Sequence, residues 1–435
     1  MKYFLLVVAF SFLASCKIEN DVSKPNTSTN NNPPNILLII ADDMGVDATP
    51  GYAVGNTKPS MPQLSALAKQ GITYENAWAY PICAPTRATI ITGKYGIETN
   101  VLNATNLSTL DTNETSLFQL IEYSNPGIFS FGVFGKWHLS SDVTHPYWLG
   151  VGTFAGIQNG AVQDYNNWQF TRNQVTSTST AYCTTAITNE AIDWINQQEQ
   201  PWFCWLAYNA PHNPLHLPEA YLHNQGLLPS DQNSIDQTPL PYYMAMIESM
   251  DYEIGRLIRN IPATELENTI IIFIGDNGTA RNVVQAPYAG TQAKGSLYQG
   301  GLHVPLIIAG KGVERKGQQE SSLVHSIDLF ATIAALTESP TAAPNSYDIT
   351  PSFALTNSSN LRNHLYAEVK TFGDTDGCAI RNERYKLIIY DNGREEMYDL
   401  IEDPYEKKDL LIGILNQEEQ TNKNALEKQV EKIRG

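Results

Sequence analysis

Two pairs of oxygen-bearing residues stand directly behind apolar runs in this 435-residue chain. Asn35 to Ile40 runs into Ala41-Asp42-Asp43, and Thr269 to Ile274 runs into Gly275-Asp276-Asn277-Gly278. Taken singly, an acidic pair after a strand caps a helix or makes a turn. Together the two pairs offer hard oxygen donors that suit a divalent cation such as Ca²⁺ or Mg²⁺. No Cys/His spacing resembles a zinc site. Two further apolar runs end in groups that move protons or hold anions. Ile128 to Phe134 leads into Gly135-Lys136-Trp137-His138, and Trp202 to Tyr208 leads into Asn209-Ala210-Pro211-His212. Imidazoles at such ends suit general acid–base work, although a lone histidine is more often a satisfied polar residue. Between these segments, Cys83-Ala84-Pro85-Thr86-Arg87 puts a thiol just ahead of a helix starting near Pro85. A helix N-terminus favours negative charge, and Arg87, one turn on, would join an anion site there. The plainer alternative is a helix cap with a buried thiol.

The elements behind these groups set the fold class. The short, two-sided apolar runs read as buried strands. Helical stretches separate them, over Met61 to Gln70, Thr184 to Gln197 and Tyr242 to Asn260. The pattern predicts an α/β fold with a large, mainly parallel sheet sandwiched by helices. In such sheets the ligand site lies outside the carboxyl ends of the strands, where these groups would gather.

Cys83-Ala84-Pro85-Thr86-Arg87 resembles the Cys-x-Pro-x-Arg signature of the formylglycine-dependent sulfatases, in the alkaline phosphatase superfamily. Asn35 to Gly45 and Gly275 to Gly278 resemble that family's two metal motifs. Gly135 to Leu139 matches its Gly-Lys-Trp-His-Leu motif, and Lys294 to Gly301 resembles its Lys-Gly-x-x-x-x-Gly-Gly stretch. Tyr385 to Leu387 and Glu396 to Leu400, followed by Asp403 to Glu406, resemble its C-terminal subdomain. The matches run in family order from about Asn35 to Leu410. Two departures, Ser140 in place of Gly and His303 in place of Arg, bear on substrate subsites rather than on the reaction.

The resemblance implies an alkaline-phosphatase-like catalytic domain over 35–340 and a smaller α+β subdomain over 341–435. It implies that a maturation enzyme oxidises Cys83 to formylglycine. One hydroxyl of the hydrated aldehyde would attack the sulfur of a sulfate monoester, and the second would expel sulfate. One Ca²⁺ per chain would sit on Asp42, Asp43, Asp276 and Asn277, with the modified Cys83 completing its shell. Arg87 and Lys136 would orient and neutralise the formylglycine and nearby oxygens, and Lys294 would donate to a sulfate oxygen. His212 would protonate the leaving alcohol, and His138 would handle the gem-diol proton. A sulfated polysaccharide or oligosaccharide is the expected substrate. The rival readings are a phosphonate or phosphodiester hydrolase of the same superfamily, and a surface glycan-binding lipoprotein without turnover. Tyr147, Trp148, Tyr165, Trp168 and Phe170 would fill the core or form a rim for sugar rings; His216 would line a subsite or face water.

The N-terminus reads as an address. Met1-Lys2 and a short apolar stretch lead to Leu13-Ala14-Ser15-Cys16, which resembles the bacterial lipobox. Residues 1–15 are the expected signal peptide, Cys16 the lipidated anchor of an exported protein, and 16–34 a flexible tether. Lys+Arg is 28 against Asp+Glu 45, a net charge of −17, which argues against a broad nucleic-acid surface. With Cys16 lipidated and Cys83 modified, three of the five cysteines remain, and no disulfide framework is expected.

Overall fold

A computed structural model describes residues 1, 33–105, 108–354, 362–371 and 373–435. Cys16 and the expected leader beyond Met1 lie outside the described residues, as does all of the tether except Pro33 and Pro34.

The first strand, β1 (Asn35–Ala41), shows why the chain makes a layered structure. All seven residues are buried. Leu37, Ile39 and Ala41 enter one apolar cluster, and Ile36, Leu38 and Ile40 enter another. This is the two-residue alternation of a strand covered on both faces. The described strands continue with β2 (Gly71–Trp78), β3 (Ser130–Lys136), β4 (Thr153–Ile157), β5 (Trp168–Arg172), β6 (Val175–Ser179) and β7 (Trp202–Ala207). Next come β8 (Thr269–Gly275), β9 (Leu306–Gly310) and β10 (Gln318–His325). These ten form one sheet in the order β10-β2-β9-β8-β1-β7-β3-β4-β5-β6. The central run from β8 to β4 is parallel, and β9, β5 and β6 join antiparallel. A second, antiparallel sheet holds β11 (Leu365–Val369), β12 (Gly377–Arg381), β13 (Tyr385–Tyr390) and β14 (Glu395–Asp399). It packs against a closing helix, Gln417–Arg434, through Leu426 and Val430.

Helices cover both faces of the large sheet. Pro62–Gln70, Cys183–Ile195 and Pro239–Asn260 supply one core; Cys83–Thr92, Leu117–Ser124 and Asp328–Leu336 supply the other. The α/β reading therefore holds, with differences at element ends. β3 starts at Ser130, because Ile128 stays 44% exposed. The helix expected to follow Cys83 begins at Cys83 itself. Pro85 sits in its first turn, where a missing N–H costs nothing.

Register then places the strand ends. Ala41 pairs with Gly275, and Ala207 pairs with both Ile40 and Gly135. Asp42, Asp276 and Lys136 consequently leave the sheet at one carboxyl edge. Gly135 is required there: it lies at φ 96°, and a Cβ would stand 1.9 Å from the Ala207 carbonyl oxygen.

Candidate active site

Cys83 opens a helix on one side of this edge and is 2% exposed. Its sulfur lies 3.2 Å from Nδ1 of His138. His138 has φ 57°, a left-handed conformation that turns the ring back over the helix end. Its Nε2 donates to the Ala104 carbonyl at 3.2 Å, which leaves Nδ1 as the acceptor facing sulfur. Burial, with Lys136 and Arg87 nearby, pushes the His138 imidazolium down to about 3. The ring is therefore neutral at ordinary pH.

The oxygen quartet faces this pair. Asp42, Asp43, Asp276 and Asn277 are all at most 1% exposed. Asp276 accepts the Asp43 amide at 3.2 Å, and the Asn277 amide donates to Asp43 Oδ1 at 2.8 Å. Asp42 Oδ1 and Asn277 Oδ1 are buried and have no hydrogen-bond partner. Orphaned buried oxygens are costly, and two in one quartet are what a bound cation would satisfy. Asp42, Cys83 and Asp276 bring one ligand atom each within 4.8 Å of one another, and so do Asp42, Asp43 and His212. A hard divalent cation fits this donor set.

Three cations answer the three carboxylates. Lys136 Nζ is 2.5 Å from Asp42, Arg87 Nη2 is 2.7 Å from Asp276, and Lys294 Nζ is 2.5 Å from Asp43. Arg87 also donates to the Lys136 carbonyl at 2.6 Å. Burial pushes the Asp43 carboxyl up, but Lys294, His212 and the Asn277 amide together hold it below the usual carboxylate range. Burial, with Asp42 beside it, raises that of Asp276. The pairs are formally neutral before any ion binds, and a divalent cation would turn the pocket into a positive well. Such a well would let a chain of net charge −17 receive an anion.

The cations divide by exposure. Arg87 and Lys136 are fully buried and bind carboxylates; neither hydrogen-bonds Cys83. Lys294 and His212 each keep 19% of the side chain exposed and stand on the open side. His212 Nε2 is 3.8 Å from Asp43, while its Nδ1 donates to the Asn213 carbonyl at 2.7 Å. The ten residues singled out from the sequence, Asp42, Asp43, Cys83, Arg87, Lys136, His138, His212, Asp276, Asn277 and Lys294, thus meet at one edge.

Other residues serve this site without a signal of their own. Tyr243 donates to the Asp43 carbonyl at 2.7 Å from the Pro239–Asn260 helix. Thr279 accepts the Gly45 amide and donates to the buried Asp47. Asn209, 1% exposed, has both amide atoms buried and unpartnered. Tyr165 lies under the His212 loop. Its hydroxyl is 2.8 Å from the Asn209 carbonyl and 2.7 Å from the His212 carbonyl. His216 is half-buried. It stacks on Tyr165 at 4.2 Å and meets the Tyr182 hydroxyl at 3.1 Å, so it packs the support of that loop. Among the candidate rim aromatics, Tyr165 and Trp168 are core residues, whereas Trp148 is 66% exposed. Cys183, Cys204 and Cys378 are free, buried thiols.

A family profile described as Sulfatase matches residues 34–339, and one described as N-sulphoglucosamine sulphohydrolase, C-terminal, matches 290–435. The chain is 26% identical over 369 residues to the uncharacterized sulfatase YdeN of Escherichia coli. That match covers 71% of this chain and 63% of its relative, so the chain spans less than two thirds of that protein. It is 25% identical over 437 residues to an ulvan-active sulfatase of Formosa agariphila, covering 93% of this chain and 82% of the other. In fold it is similar to the crystal structure of Ps i-CgsB in complex with k-i-k-neocarrahexaose. The TM-score is 0.76 at 24% identity, and 92% of each chain is covered.

Proposed function

The chain belongs to the sulfatase family, and from that premise we propose that it hydrolyses sulfate monoesters on a saccharide chain. The observation that carries the reading is Cys83: a buried thiol at a helix start, held on His138, beside an oxygen quartet with two orphaned oxygens. In this reading Cys83 is matured to formylglycine, whose hydrate supplies a nucleophilic hydroxyl and a geminal hydroxyl through which sulfate leaves. Ca²⁺ on Asp42, Asp43, Asp276 and Asn277, with residue 83, supplies charge neutralisation at the sulfate oxygens.

The chain's own residues do the rest. His138, neutral and with Nδ1 turned to residue 83, accepts a proton there. Arg87 and Lys136 fix the carboxylates. Lys294 meets a sulfate oxygen from the open side, and His212 Nε2 carries a proton to the leaving oxygen, its other nitrogen being held by Asn213. The saccharide class is supported by the ulvan-active relative and by the neighbour in complex with k-i-k-neocarrahexaose. Export on a Cys16 lipid anchor belongs to the same reading, as does a catalytic domain over 35–340 with a subdomain over 341–435.

The test compares protein from hosts with and without the maturation activity. Sulfate release should rise in proportion to the aldehyde fraction that mass spectrometry finds on the Cys83 peptide. Full turnover by unmodified thiol would reject the mechanism and favour the phosphodiester reading.

A further inference from the structure

The Pro239–Asn260 helix reaches the Asp43 backbone through Tyr243 and carries a second concave site further along. Tyr252 lies nine positions beyond Tyr243, about 13 Å along the axis at ~1.5 Å per residue. Beside it is a cavity of about 180 Å³ lined in part by Tyr221, His223, Glu248, Asp251, Tyr252 and Arg259. Its polar groups are unevenly satisfied. Glu248 accepts the Ser60 and Asn224 backbone amides at 2.8 and 2.5 Å and the Gln225 side-chain amide at 2.7 Å, and Asp251 accepts the amides of Gln63 and Leu64 at 3.0 and 2.8 Å. Each carboxylate retains further acceptor positions. His223 Nδ1 accepts the Gln225 amide at 3.2 Å, which places the proton of the neutral ring on Nε2. That Nε2 is buried and has no partner. Arg259 lines the same cavity. Two exposed tyrosines, Tyr221 at 60% and Tyr252 at 40%, stand edge to face with centroids 5.8 Å apart.

These groups narrow the ligand. A small inorganic anion would meet two carboxylates, and an apolar ligand would leave the Nε2 proton unpaired. A metal ion would need the nitrogen that carries the proton. A pyranose meets every demand: a hydroxyl oxygen for Nε2–H, hydroxyl protons for the carboxylates, and C–H faces for the tyrosines. We propose that this cavity is a second saccharide site, holding one pyranose unit of the glycan outside the catalytic pocket with an acidic substituent toward Arg259. The choice of ligand rests on the saccharide reading above; the geometry does not.

Calorimetry on the full chain carrying Lys294→Ala, which weakens the catalytic pocket, tests the proposal. The probes are k-i-k-neocarrahexaose and a heparin hexasaccharide. At least one should bind, and Tyr252→Ala or His223→Gln should weaken it about tenfold, the worth of one aromatic face or one buried hydrogen bond. Tyr252→Ala changes an exposed ring and keeps the test readable where His223→Gln fails to fold. On the Lys294 parent background, matured Tyr252→Ala should turn over a small aryl sulfate at the parent rate. Binding of neither probe overturns the proposal. Binding unmoved by Tyr252→Ala, or a soaked crystal with only water on His223 Nε2, also overturns it. If the matured parent releases sulfate from no ester, the catalytic reading fails while the binding result stands.

Discussion

At the scale of single residues, position separates roles that residue type leaves open. His138 and His212 are both imidazoles near the oxygen quartet, yet they face different partners. His138 meets residue 83 with its acceptor nitrogen and is sealed by Ala104. His212 stands on the open side with Nε2 free to meet a leaving group. His212→Ala should therefore cut kcat more for sugar sulfates, whose alcohols leave poorly, than for activated aryl sulfates. A single general acid contributes about 10²–10⁴-fold, so the gap between the two esters should approach the lower figure. Equal losses on matched esters would remove the assignment. Cys83→Ser should fold, because the change is small and sits at the pocket edge, and its hydroxyl lacks a geminal partner. Incubation with substrate should then leave a sulfate ester on the residue 83 peptide, visible by mass. An unmodified peptide after incubation counts against the proposed nucleophile. Most residues of this site were legible because they follow an apolar run or lie in the first turn of a helix; Lys294 does neither and was found only through the motif it shares with the resembled family. Asn209 was not: it looks like any turn asparagine, and only its buried, unpartnered amide distinguishes it.

At the scale of elements, the hairpin β5–β6 does more than extend the sheet. The segment leading into it supplies Tyr165, which ties two carbonyls of the His212 loop from below. His216, stacked on that ring, wedges the tie against Tyr182. Tyr165→Phe removes one buried donor from two carbonyls, a change worth about 1–3 kcal/mol. The expected result is a lower melting temperature together with a kcat loss that is steeper for poor leaving groups, with KM little changed. A lower melting temperature with equal kcat loss on both esters would make Tyr165 merely structural. The parallel centre of the sheet was readable because β1, β7 and β8 are apolar on both faces. The hairpin was not, because β6 is polar and almost wholly exposed, and Val175–Ser179 carries no burial pattern to read. Tyr165 and Trp168 were open between core and rim for a related reason: an aromatic has the same composition signal in either place, and the neighbouring chain decides.

At the scale of the molecule, two quantities should respond to conditions. Chelation should lower the melting temperature, since Asp42 Oδ1 and Asn277 Oδ1 lose the cation that would satisfy them. At a hundredfold excess over Kd, a ligand stabilises by about 2.7 kcal/mol. Ca²⁺ restored after chelation should return the melting temperature, and a thermogram indifferent to both steps speaks against the site. The second response is to acid. His325 is fully buried between Tyr80 and Tyr95, and burial, with Arg362 and His364, drives its imidazolium far below the usual range. A depressed histidine contributes its full stability above the unfolded value near 6.5 and loses it as pH falls below that, because only the unfolded chain takes up the proton. From pH 7 to pH 5.5 this one group should cost about 1 kcal/mol. The pH dependence of unfolding in wild type minus that in His325→Gln should show this difference; parallel curves would exclude it. The order of strands along the chain has a further effect, on time. β1 lies at the centre of the sheet, but its partners β7 and β8 begin at Trp202 and Thr269. Synthesis at ~5–20 residues per second leaves Asn35–Ala41 without a neighbour for about 8–32 s. During that interval a strand that is buried throughout in the finished fold is exposed to other nascent chains, and Cys83, sealed in the finished protein, is still within reach of an enzyme. Slower translation between β1 and β7 would therefore lengthen the opportunity for modification and the hazard of aggregation by the same seconds.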